Sequence, residues 1–234
     1  MNALTRNIPN FITCCNLGAG TLALIAAGYG TNPFWGLQGY QWAFILIGIG
    51  ALADFLDGFA ARLLHAYSNL GKELDSLCDL VTFGVAPALA LFHVLDFAPG
   101  DHWLRWTVVL IPICGAVRLA RFNIDTRQSV TFIGLPIPAN AIFWIGYAAL
   151  VVQGVGFLME WYVFLPVLVI ECWLMNSPVR MYSLKFRNWT FRSNFKRYLL
   201  ILAAGIFCFS LKTGGLLWLI IYYVLSSIAF KDED

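Results

Sequence analysis

The sequence predicts an all-α, polytopic integral membrane bundle of about eight spanning helices, with both termini on the cytoplasmic side. Three observations lead there. The 234 residues are 60% hydrophobic and only 12% charged, about half the charge usual in a soluble domain. Apolar runs of membrane-crossing length recur from one end of the chain to the other. Of the 15 Lys and Arg residues, all but Arg105 and Lys212 fall in alternate connections, the asymmetry that keeps positive charge in the cytoplasm.

A helix needs roughly 20 mainly apolar residues to cross the hydrocarbon. On that rule the spans fall at 11–30, 40–64, 72–95, 104–122, 134–153, 157–175, 197–211 and 214–230. The first apolar run, Asn7 to Gly30, has no charge over 24 residues; it is longer than a usual signal core and reads as a spanning helix rather than a cleaved leader. The last two spans are joined by "KTGG" and read as a helical hairpin over about 197–230. Misplacing one middle span would scatter the charge partition, so count and orientation support each other. The length suits a single membrane domain over 1–234. Pro87, Pro112, Pro136 and Pro138 are expected to kink helices. The 6 cysteines form no CxxC pair and read as buried small hydrophobes, and the three histidines show no metal-ligand spacing.

The stretch "ALADFLDGFAARLLHAYSNLGKELDSLCDLVTFGVAPA", 51–88, breaks the apolar pattern. Span two is uncharged from Tyr40 to Ala53 and then meets Asp54 and Asp57. Span three begins with Asp75 and Asp79 and continues uncharged to Leu95. Both pairs therefore lie near the cytoplasmic ends of adjacent helices, across a turn expected around Ser68–Gly71. Spacings of three and four place each pair on one helical face, with Cβ atoms about 5–6 Å apart. An aspartate at the centre of a membrane helix costs roughly 2.5–3.5 kcal/mol, so four would cost about 10–14. The position near helix ends lowers that cost and mutual repulsion raises it. Arg62 and Lys72 could neutralise two acids at most. Divalent cations account better for the cluster, since hard carboxylate oxygens suit Mg²⁺ or Mn²⁺. Gly58 and Ala61 share the face of Asp54 and Asp57 and leave room for a ligand against the backbone. Paired cations with an open face clamp phosphoryl groups during displacement, so the pattern points to metal-assisted phosphoryl transfer at the inner membrane surface.

At these residues the chain resembles the CDP-alcohol phosphotransferase family. The family pattern D-x2-D-G-x2-A-R-x8-G-x3-D-x3-D is filled by Asp54, Asp57, Gly58, Ala61, Arg62, Gly71, Asp75 and Asp79. Four segments, "NIPNFITCCNLGAG", "GKELDSLCDLVTFGVAPA", "RLARFN" and "GLPIPANA", are most similar to family members that transfer a phosphatidyl group from CDP-diacylglycerol to L-serine. Beyond about residue 155 little matches. The resemblance implies that Asp54, Asp57 and Asp75 hold divalent cations, that Asp79 completes a second ion site, and that Asp79 is the general base on the incoming alcohol. It implies that Asp57, Gly58, Ala61, Arg62, Gly71 and Asp75 bind the CDP-diacylglycerol donor. A homodimer is implied as well. The same chemistry with glycerol 3-phosphate, inositol or choline as acceptor is the alternative.

A serine acceptor would need a cation for its carboxylate. Arg118 and Arg121, three apart at the inner end of span four, are expected to include at least one that supplies a bidentate guanidinium to it or to a donor phosphate; the alternative is that both are positive-inside anchors. Asn16 and Asn123 lie in the resembling segments and could contact substrate or bond between helices. Glu171 lies within span six, either paired with an interior base or solvated. The basic and aromatic run 180–197 reads as a strip on anionic lipid rather than a nucleic-acid site. A transporter or channel is disfavoured, because the acids gather at one end of their spans and no paired broken helices appear.

Overall fold

The computed structural model describes residues 3–97, 103–125, 132–182 and 190–229. These residues are mostly helical, with two short antiparallel pairings and short connecting turns. Five described helical segments are long and apolar enough to cross a membrane: Asn7–Ala27, Gly39–Leu63, Asn69–Val94, Leu104–Ile124 and Asn194–Ala229. Ile137–Val152 and Trp161–Asn176 are shorter apolar helices. The chain is an all-α integral membrane protein, and each stretch read as a span falls on helix. It divides into two compact units, residues 1–124 and 125–234.

In the first unit, α1 (Ala3–Ala27) runs along α2 (Gly39–Leu63) and also touches the helices that follow. A two-residue pairing, Pro33–Phe34 with Leu37–Gln38, turns the chain between them. The Gln38 N–H then donates to the Gln41 side chain at 2.9 Å and starts α2. α2 ends at Leu63, and His65 takes a positive φ of 49° in the connection. Ser68 caps α3 (Asn69–Asp79) by accepting the Gly71 N–H at 2.9 Å. The break between the acidic helices is therefore 64–68. Gly71, expected in the turn, belongs to the first turn of α3, because the serine directly before the helix satisfies the free N–H three residues on.

Span three is not a plain α-helix. After α3 the chain widens into a π-helical segment, Leu80–Val85, where the Ala86 N–H reaches back five residues to the Val81 carbonyl. It then resumes as α4 (Ala86–Val94). Pro87 explains the widening: it has no N–H for the Phe83 carbonyl, and its ring crowds that carbonyl. At the proline expected to disturb the helix, the preceding turn is re-bonded with a five-residue closure. The segment turns Thr82 into the narrow space between α1 and α2. A methyl group at Gly20 would collide with Thr82, and one at Gly50 would stand 2.5 Å from Thr82 Cγ2. The Thr82 hydroxyl donates to the Asn16 carbonyl at 3.1 Å. Glycine at 20 and 50 is thus what lets three helical backbones close around one threonine.

α5 (Leu110–Ile124) continues from a 3-10 segment, Leu104–Val109, and packs on the π segment. Pro112 sits just after that change of winding. Asp96 and Arg105 form an ion pair, with Arg105 also over the Phe92 ring at 4.9 Å.

In the second unit, α6 (Ile137–Val152) starts directly after Pro136, with Pro138 in its first turn. Those first N–H groups have no helical acceptor, so a proline there initiates the helix rather than bending it. Both prolines were expected to kink and do not. Trp144 and Tyr147 of α6 pack at steep angles against the Phe164 ring of α7 (Trp161–Asn176), at 5.9 and 5.8 Å between centroids. Gly146 lets α6 approach the backbone of α9 (Gly215–Ala229) at Leu217. α8 (Phe191–Leu211) reverses into α9 at Lys212, which has a φ of 52°. Gly215 lies against the Phe207 backbone at that corner. Glu171 of α7 is buried rather than solvated, and its Oε2 has no hydrogen-bond partner among the described residues. Of the basic and aromatic run 180–197, residues 183–189 lie outside the described residues. Arg180–Met181 pairs with Phe132–Ile133.

The cysteines are free, and only Cys78 is buried; Cys14 and Cys15 are exposed. The reading of the cysteines as buried small hydrophobes holds fully only at Cys78: Cys114, Cys172 and Cys208 are half-buried, and Cys14 and Cys15 lie on an exposed face of α1.

Candidate metal centre

The acids come as one pair from each of two consecutive helices. Asp54 and Asp57 stand one turn apart on α2, and Asp75 and Asp79 one turn apart on α3. Asp54, Asp57 and Asp75 each present a carboxylate oxygen, and the three oxygens lie within 4.8 Å of one another. Asp57 and Asp79 are buried, while Asp54 and Asp75 are partly so. The spacing rule thus places the pairs as expected, and the short 64–68 connection brings the two faces together.

Nothing among the described residues neutralises this charge. Their one ion pair at these distances is the remote Asp96–Arg105 contact. Arg62 is exposed, and Lys72 donates instead to the Asn123 carbonyl at 2.6 Å. Neither of the two bases that could have offset an acid forms an ion pair with one among the described residues. Like charges this close resist joint ionisation. The Asp75 Oδ1 atom is moreover buried without a hydrogen-bond partner. Three convergent hard oxygens are the donor set of a divalent cation, and the unsatisfied Asp75 Oδ1 belongs to one of the same three carboxylates. The residues fit such an ion.

Beside the triad lies open backbone. A methyl added at Gly58 would meet nothing nearer than the Arg62 guanidinium at 3.8 Å, so a ligand can approach α2 there with a cation at its side. Ala61 is one turn on from Gly58 and partly exposed. Gly71 differs. A methyl there would come within 2.9 Å of Asn10 Oδ1 and 3.0 Å of Ser68 Oγ, so its missing side chain lets α1 and the cap close on α3.

α5 docks on α3 through Asn123. Its amide donates to Ser76 Oγ at 3.0 Å and to Glu73 Oε2 at 3.3 Å, in addition to the Lys72 contact. Of the two roles left open for Asn123, interhelical bonding is the one observed. The arginine pair on α5 is split by burial: Arg118 is buried with its guanidinium 5.7 Å from the Phe122 ring centroid, whereas Arg121 is exposed.

Two side chains of α1 reach into the cluster. The Thr13 hydroxyl lies 2.6 Å from Asp57 Oδ2 and 3.0 Å from the Pro9 carbonyl. The Asn16 amide donates to Asp79 Oδ1 at 3.1 Å. Asn16 was noted in the sequence with its partner open; Thr13 was not singled out. The only available signal was their separation of three residues, which puts both on one face of α1.

The family model for CDP-alcohol phosphatidyltransferase matches residues 6–173. Three curated relatives carry the name CDP-diacylglycerol–serine O-phosphatidyltransferase. The Bacillus subtilis (strain 168) protein is 40% identical over 131 residues, 56% of this chain and 69% of the relative. That of Methanocaldococcus jannaschii is 35% identical over 144 residues, 62% of this chain and 61% of the relative. That of Mycobacterium leprae (strain TN) is 43% identical over 118 residues, 47% of this chain and 39% of the relative. The matched stretch thus spans from two-fifths to just over two-thirds of these relatives.

Proposed function

The chain belongs to the CDP-alcohol phosphatidyltransferase family, and from that premise we propose that it transfers the phosphatidyl group of CDP-diacylglycerol to L-serine, releasing CMP. The observation that carries the reading is the convergence of Asp54, Asp57 and Asp75 within 4.8 Å beside an open glycine face. The names of the relatives supply the donor and the acceptor.

In this reading Asp54, Asp57 and Asp75 hold Mg²⁺ or Mn²⁺, and Asp79 completes a second ion site. When bound, the ions supply positive charge to the donor diphosphate and to the departing CMP. Gly58 and Ala61 admit the cytidine diphosphate along α2, Arg62 positions it, and Gly71 shapes the edge of that surface. Asp79 takes the proton of the serine hydroxyl as its oxygen attacks the phosphorus that bears the diacylglycerol. The new serine oxygen–phosphorus bond forms as the bond to CMP breaks. The charge distribution along the sequence supports a cytoplasmic position for this site.

Arg118 is the residue we assign to the serine carboxylate, because a buried guanidinium beside an aromatic ring is desolvated and a charged hydrogen bond to it is strong. Arg118→Ala is expected to raise the serine KM by about 10-fold or more, equivalent to one lost charged hydrogen bond of about 1.5–3 kcal/mol. The exposed Arg121→Ala is expected to change it less than about threefold. Steady-state kinetics on the two variants decide between substrate binding and simple anchoring.

The acceptor is tested by incubating detergent-purified protein with CDP-diacylglycerol, Mn²⁺ or Mg²⁺, and each of serine, glycerol 3-phosphate, inositol and choline. CMP release with serine is expected. Release with another alcohol in preference to serine would reassign the acceptor.

A further inference from the structure

We propose that Thr13 and Asn16 of α1 are positioning residues: each fixes the orientation of one reactive carboxylate, Asp57 through Oδ2 and Asp79 through Oδ1. The inference rests on the phosphatidyl-transfer reading for what Asp79 does, but not for the geometry.

A threonine inside a helix ordinarily turns its hydroxyl back to the carbonyl four residues earlier, which here is Pro9 at 3.0 Å. Thr13 has one proton for two acceptors, and Asp57 Oδ2 is nearer, at 2.6 Å. That length is typical of a hydroxyl bonded to an ionised oxygen, which is about twice as strong as a neutral bond. Thr13 is itself buried, at 3% exposure, so water does not compete for the contact. Thr13 thereby pins the rotation of a carboxylate that belongs to the triad. Outer partners of this kind orient metal ligands, and their loss typically weakens metal binding about 10–100-fold.

Asn16 is fully buried. Its backbone carbonyl is tied to Thr82, and its amide nitrogen to Asp79. The amide oxygen, by contrast, has no hydrogen-bond partner and lies against Gly50. A buried amide with one end unsatisfied is a stability cost that a leucine of similar volume would not carry. Packing therefore does not account for an asparagine here, whereas the bond to Asp79 does. It occupies Oδ1 and leaves Oδ2 of the same carboxylate to receive the proton of the acceptor alcohol. The two contacts span 44 and 63 residues of sequence. Together they make α1 the common reference for one acid from each motif helix.

The test uses the full-length protein with Thr13→Val, Thr13→Ser and Asn16→Leu. Mn²⁺ binding is read from the free-ion electron paramagnetic resonance signal, alongside kcat, KM and thermal midpoint. Thr13→Val is expected to weaken Mn²⁺ binding about 10–100-fold, and Thr13→Ser, which keeps the hydroxyl, to restore it to within about threefold of wild type. Asn16→Leu is expected to melt no lower than wild type while kcat falls about 10–100-fold at unchanged KM for CDP-diacylglycerol, as a misplaced catalytic group would produce. Wild-type Mn²⁺ affinity in Thr13→Val, wild-type kcat in Asn16→Leu, or activity lost only in proportion to unfolded protein would overturn the proposal. A wild-type protein that binds Mn²⁺ yet releases no CMP would instead sink the phosphatidyl-transfer reading and leave the Thr13 result standing.

Discussion

Asp54→Asn is expected to lower CMP release by about 10²–10³-fold, the loss typical when one element of a preorganised charge-stabilising site is removed. In chelator it is expected to raise the thermal midpoint above that of wild type. Both effects have one cause. Asp54, Asp57 and Asp75 hold three carboxylate oxygens within 4.8 Å, and no lysine or arginine among the described residues pairs with them. Asparagine keeps the volume and removes one of the repelling charges, so the metal-free fold relaxes. The same substitution removes an ion ligand, so cation binding and turnover fall. Asp54 also stands apart from the two bonds that tie α1 to the cluster, which involve Asp57 and Asp79. Adding Mn²⁺ should therefore raise the wild-type midpoint, by mass action on the folded state, and raise that of the variant much less. Differential scanning fluorimetry with and without Mn²⁺ checks the whole pattern. A variant that melts lower in chelator and turns over normally would make the aspartates structural.

The second large effect is at Asp79. Asp79→Asn is expected to lower kcat by about 10²–10⁴-fold, the range for loss of a positioned general base. The carbonyl oxygen of asparagine can still face a cation and can still accept the Asn16 amide proton. It cannot take the proton of a serine hydroxyl at neutral pH. Raising Mn²⁺ should accordingly leave Asp79→Asn at its low rate while recovering part of the rate of Asp54→Asn, whose defect is weakened ion binding. Kinetics over a Mn²⁺ series separates the two. Full recovery of Asp79→Asn at high Mn²⁺ would remove the base role and leave Asp79 as a ligand alone.

These expectations mark how far the sequence could be read. The acids were legible because two elementary rules agree at them: helical spacing puts each pair on one face, and membrane burial forbids unpaired charge. The helices were legible for the same reason, since each apolar run falls on helix. The winding within span three was not. Hydropathy is blind to whether a turn closes at four residues or five, and Pro87 signalled a disturbance without saying that the π segment Leu80–Val85 would absorb it. Pro136 and Pro138 were misjudged because a proline's effect depends on whether its missing N–H had a partner, which depends on a boundary that hydropathy places only to within a few residues. Thr13 was invisible for a different reason. Its partner lies on another helix 44 residues away, and a single sequence carries no trace of such pairing beyond a polar residue on an apolar face. Arg118 and Arg121 look equivalent in spacing, and only the packed structure separates a buried guanidinium near Phe122 from an exposed one.

The most direct test of the centre is turnover across metal removal and return. Detergent-purified wild type would be stripped with EDTA, assayed for CMP release from CDP-diacylglycerol and serine, and titrated back with Mn²⁺ or Mg²⁺. Carboxylates acting through bound ions predict that release falls to background on stripping and returns with either ion in Asp54-dependent fashion. Undiminished release in the stripped protein would contradict the account.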